Sequence, residues 1–141
     1  MDAVADAVAD SARYNVFQLG EAALAGETAR ALRILEGLRA EGTEATLVLW
    51  AIVRELRAVA GAQSGQQRQA MNRFDERRTA LASGAARRLD RQRVDSLLVQ
   101  AARIDRLIKS IARESAWTEI IALLAALSGA RPLRAPVALQ G

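Results

Sequence analysis

Asp75 and Glu76 are the nearest approach in this sequence to a pair of catalytic carboxylates. General acid–base work needs two such groups aimed at one substrate. Neighbouring residues on a helix point about 100° apart, so this pair is poorly placed for it. Arg77 and Arg78 follow directly and make solvated ion pairs the expected fate of both acids. The 141 residues include no Cys and no His, which excludes thiolate nucleophiles, imidazole bases, a disulfide framework and Cys- or His-ligated metal. No Gly-x-x-x-x-Gly-Lys-Ser/Thr run is available to cradle a nucleotide. A chain without catalytic residues, cofactor or metal is therefore expected.

Charge offers a different chemistry. Residues 1–53 carry eight acids and four Arg, whereas residues 54–113 carry fourteen bases and six acids. Arg87, Arg88, Arg91 and Arg93 gather around a helix junction, where they suit backbone phosphates without reading sequence. No aromatic residue lies from Asp75 to Ala116, so no platform for stacking bases accompanies them. Nineteen of the twenty bases are Arg, a preference better ascribed to codon bias than to ligand binding, and the plain alternative for the basic middle is a solvated face.

The elements that position these residues are helices, because the chain is rich in Ala and poor in Pro and β-branched residues. A first helix is expected over Asp2–Ala12 and a second over Val16–Ala25, ended by Gly26. A third over Glu27–Ala40 has the stripe Ala31, Leu32, Leu35 and Leu38 and stops at Gly42. Thr43 is the expected N-cap of a fourth helix, Glu44–Ala62, with a loop following at Gln63–Gln67. Two short basic pieces, Gln66–Phe74 and Asp75–Arg88, are expected next, the second with a break near Ser83-Gly84. Asp90 caps a long helix reaching Ile111, striped by Val94, Leu97, Leu98, Ala101, Ile104, Ile108 and Ile111, with Asp105 and Lys109 paired on its solvent side. A last helix, Ser115–Ser128, ends at Gly129, and Pro132 and Pro136 keep the tail extended. The fold class is all-α: a compact bundle of about six to eight helices in one domain over residues 1–141, with an N-terminal helix and linker over 1–14 and a tail over 131–141. No apolar run is long enough to span a bilayer and no basic leader follows Met1, so a cytoplasmic protein without membrane contact is expected.

Two helices are wider in their apolar surface than one buried stripe requires: Glu44–Ala62 and Ser115–Ser128. Either they are the innermost helices or another chain covers them. Trp50 and Trp117 lie within them, as core residues with a partnered indole N–H or as interface anchors.

The run Ala12–Gly26 (ARYNVFQLGEAALAG), followed by Ala31–Gly42 (ALRILEGLRAEG), resembles the opening of the last domain of the delta subunits of bacterial DNA polymerase III clamp loaders. Arg54-Glu55-Leu56 resembles an Arg-Glu-Leu motif on that family's long helix. Ala102–Lys109 (ARIDRLIK) and the downstream Trp117 are similar to its final helical pair, and the resemblance covers residues from about 4 to 133. It implies a collar-type helical bundle, the C-terminal part of a longer subunit, that oligomerises with delta prime and gamma/tau subunits so that a sliding clamp is loaded on primed DNA. The clamp would be contacted by a domain absent here. Trp50, Arg54, Trp117, Ile121 and Leu124 are then the candidate subunit interface, and Arg87, Arg88, Arg91, Lys109 and Arg113 the candidate phosphate contacts. Some relatives have an aromatic residue just before the segment matching Ser115-Ala116-Trp117; here Ile111, Ala112 and Arg113 stand nearby, and no base-stacking role is carried over. The alternative function is a stand-alone helical module that binds nucleic acid through the Arg-rich middle; a small-molecule enzyme is a distant third.

Overall fold

The structure, a computed structural model, describes residues 15–65 and 73–129. Six helices occupy these residues: α1 (15–24), α2 (Thr28–Ala40), α3 (Ala45–Gln63), α4 (Arg73–Arg88), α5 (Arg91–Ile108) and α6 (Arg113–Leu127). The all-α class is thus observed. The expected helix over Asp2–Ala12, Gln66 and Gln67 of the expected loop, most of the expected piece Gln66–Phe74 and the tail from 131 lie outside the described residues.

Glycine ends the first two helices through its access to positive φ. Gly26 (φ 80°) and Gly42 (φ 81°) each follow a helix, and in both places two reversed hydrogen bonds close the terminus. Gly42 N donates to Arg39 O, and Thr43 N donates to Leu38 O at 3.0 Å, the Schellman arrangement. This explains why Thr43 is not the N-cap of α3: its backbone is already engaged in closing α2. The N-cap is Glu44, with extended backbone and no side-chain cap bond.

The expected break near Ser83-Gly84 does not occur, and α4 runs through both residues. A glycine inside a helix costs only about 1 kcal/mol, and Ala82 and Ala85 on either side are buried, so packing holds the helix together. In α5 the expected cap is present, with Asp90 accepting from Arg93 N at 2.6 Å. The helix stops at Ile108, three residues short of Ile111. There Ser110 Oγ donates to Leu107 O at 2.7 Å and accepts from Ala112 N at 3.0 Å. A serine that binds the main chain on both sides offers the backbone an alternative to the helix. Ile111, expected at the end of the buried stripe, is instead fully exposed.

The core explains the two wide apolar helices in part. α3 packs on α4, α5 and α6, while α6 packs on α2, α3 and α5. α3 buries Val48, Leu49, Ala51, Ile52, Leu56 and Val59; α6 buries Ala116, Ile120, Leu123, Leu124 and Leu127. Against them stand Leu97 and Ile104 of α5 and Leu35 and Leu38 of α2. Both helices are inner elements, yet each leaves apolar side chains outside: Trp50 on α3 and Ile121 on α6.

Candidate functional site

Three groups of side chains stand out on this scaffold. The first lies where α1 crosses α3 and α4. Glu55 is only 3 % exposed, and a buried carboxylate must be matched by charge and hydrogen bonds. Arg78 of α4 supplies both, donating through Nη2 to Glu55 Oε1 at 3.1 Å; Arg54 Nη1 reaches the same oxygen at 3.3 Å. Arg78 thus reaches a buried acid on another helix. Arg77 behaves similarly, pairing with Glu21 of α1 at 3.4 Å.

Arg54 has a second role. Its guanidinium sits 5.0 Å from the ring centre of Phe17 and 6.0 Å from that of Trp50, and the two rings meet edge to face at 6.3 Å. Such contacts stabilise and orient the groups they join. Burial, and secondarily the like charge of Arg78, pull the Arg54 pKa below its usual value, while Glu55 acts in the opposite direction. Trp50 is 51 % exposed and Phe17 is at the surface beside it. The patch is therefore an aromatic pair held still by a cation that is itself anchored to Glu55. Gly20 of α1 lies under this group, and a Cβ there would stand 2.9 Å from Glu55 Cγ.

The second group joins α2 and α6. Arg39 stacks over Trp117 at 5.4 Å and pairs with Glu114 at 3.3 Å. Leu32, Leu35, Glu36, Arg39, Trp117 and Ile121 line a groove of about 310 Å³. Trp117 is half-buried and Ile121 exposed. Leu124, named with them from sequence, is wholly buried in the bundle; it faces the core a turn below Ile121 and adds nothing to the surface of the domain.

The third group is the basic junction of α4 and α5. Arg88 differs from its neighbours here. It donates through Nη1 to Leu127 O at 2.9 Å and through Nη2 to Leu24 O at 3.3 Å and Ala23 O at 3.4 Å. The last carbonyls of α1 and α6 lack partners within their own helices, and one guanidinium serves both ends. Burial lowers its pKa from the usual arginine value. Arg88, expected from sequence as a phosphate contact, is thus engaged with the fold itself. Arg87 and Arg91, exposed as Arg88 is, line a pocket with it. Lys109 pairs with Asp105 at 2.7 Å, as expected. Lys109 and Arg113 line a separate open hollow with Arg39 and Trp117 at the other end of α5, so the five basic candidates do not form one surface.

Arg54 and Trp50, both expected at the subunit interface from sequence, stand together. Phe17, Gly20, Glu55, Arg78 and Arg39 are supports and counterparts that the sequence does not single out as such. The available signal was an acid, Glu55, amid the apolar positions of α3 with a glycine at the matching point of α1.

What the described residues define is a helical bundle with ordered aromatic–arginine patches and basic hollows on its surface. Among them no helix is long and apolar enough to cross a membrane. A family model described as DNA polymerase III delta subunit, C-terminal domain, matches residues 13–125, and the chain belongs to that family. The match takes in all three groups except the end of α6. A comparison with curated proteins finds no match.

Proposed function

We propose that this chain is a structural collar module of a clamp-loader delta subunit, acting in the cytoplasm by packing against the helical domains of delta prime and gamma/tau subunits. Membership of the delta C-terminal family supports this reading. The observation that carries it is the Phe17–Trp50–Arg54 patch. Large aromatics that stay at the surface, already ordered by a guanidinium, are what interface anchors look like before a partner arrives. The groove at Trp117 and Ile121 is the second surface assigned to a neighbour. In this reading the domain carries out no bond chemistry, the sliding clamp is met by another part of the subunit, and Lys109 and Arg113 face the primed DNA enclosed by the assembly.

The test is reconstitution. The chain is mixed with delta prime and gamma/tau, and complex formation is followed by size exclusion. Trp50→Asp is expected to weaken assembly at least tenfold while leaving the far-ultraviolet circular dichroism and thermal midpoint of the lone chain near those of the parent. A parent chain that joins none of these subunits, or a variant that assembles equally well, would count against the proposal.

A further inference from the structure

We propose that the pocket between the end of α3 and the junction of α4 and α5 binds a phosphate group, a site separate from the subunit surfaces and independent of the collar reading. The pocket measures about 650 Å³ and is open to solvent; Gln63, Arg87, Arg88, Asp90 and Arg91 are among its lining residues. Among the described lining residues the charge is unbalanced, with three guanidiniums against one carboxylate. The carboxylate is engaged, because Asp90 accepts from the main-chain N–H of Arg93. Arg88 is turned away to the carbonyls of α1 and α6. Arg87 and Arg91 take part in none of the ion pairs found among the described residues. Two exposed guanidiniums in the lining of a concave site thus have no anionic partner among the described residues, and a guanidinium's planar fork of donors matches the oxygens of a phosphate.

Gln63 gives a second, independent sign. Its Nε2 donates to Leu89 O at 2.7 Å and to Ala86 O at 3.4 Å, which fixes the amide's orientation: the nitrogen faces the carbonyls at the end of α4. Its Oε1 is then left buried without a hydrogen-bond partner. A buried acceptor in this state costs free energy until a donor reaches it. A guanidinium drawn inward by a bound phosphate supplies that donor: one N–H goes to Gln63 Oε1 and the rest of the fork to the phosphate oxygens. The ligand chemistry is a tetrahedral phosphate, borne either by a polynucleotide backbone or by a free ion, and among the described residues lining the pocket no aromatic ring is present to select a base.

The experiment follows the side-chain amide resonances of Gln63 in the ¹⁵N-labelled chain. In one arm a 20-base-pair DNA duplex is added, and in the other inorganic phosphate. The Arg87→Gln/Arg91→Gln variant, altered only at exposed positions, is carried through both arms, and its duplex affinity is measured across a salt series. Shifts with the duplex, together with a salt slope reduced by about two in the variant, establish backbone phosphate as the ligand. Shifts with inorganic phosphate alone that vanish in the variant establish the free ion. Gln63 resonances unmoved in both arms, or a variant that responds as the parent does, overturn the proposal. Neither result depends on whether the chain joins other subunits.

Discussion

At the scale of single residues, the most informative position is Gly20, because two ordinary expectations for it disagree. Alanine in place of a helical glycine is usually favourable by about 0.5–1 kcal/mol. Here the added methyl would stand 2.9 Å from Glu55 Cγ and 3.1 Å from Cδ. Glu55 cannot simply swing aside, since Arg54 and Arg78 hold the same carboxylate oxygen. Overpacking of this kind costs about 1–3 kcal/mol, so Gly20→Ala is predicted to lower stability in urea unfolding despite its better helix propensity. A variant as stable as the parent would mean that the Glu55 cluster yields easily. The same cluster accounts for the Arg-Glu-Leu motif in physical terms: the acid is the buried hub, the arginine carries order outward to the aromatic pair, and Leu56 is wholly buried.

At the scale of elements, the helices of the described residues were readable from sequence and their ends only partly so. Gly26, Gly42 and Asp90 marked boundaries correctly because their effects are local: a positive φ in two cases and one side-chain cap in the third. Thr43 misled because its main chain closes α2, which depends on a bond to Leu38 O and not on its own side chain. Ser83-Gly84 misled because a weak local breaker is overruled by burial of the alanines beside it. The surface patch was half legible: the tryptophans drew notice by their apolar setting, but no sequence spacing shows that Phe17 meets Trp50 or that Arg78 reaches Glu55. The end of α5 can be tested directly. Ile104→Ala removes a wholly buried side chain and is predicted to cost about 2–5 kcal/mol. Ile111→Ser alters an exposed one and should stay within about 0.5 kcal/mol of the parent. Equal losses in denaturant unfolding would show that the helix and its stripe continue past Ser110.

At the scale of the molecule, Arg88 closes the bundle. One side chain from α4 holds the C-terminal ends of α1 and α6 together, and the hydroxyls of Thr28 and Ser128 meet beside it at 2.8 Å. Arg88→Lys keeps the charge but loses the planar fork that reaches both ends. It is predicted to cost about 1–3 kcal/mol in thermal or urea unfolding, and unchanged stability would remove the clasp from the account. The clasp also bears on the birth of the chain. Thr28 and Ser128 are separated by 100 positions, and a bacterial ribosome adds about 5–20 residues per second. The first helices must therefore wait about 5–20 s, with their apolar faces bare, before the last one is made to cover them. During that interval the nascent polypeptide is a client for whatever shields unfinished proteins at the tunnel mouth.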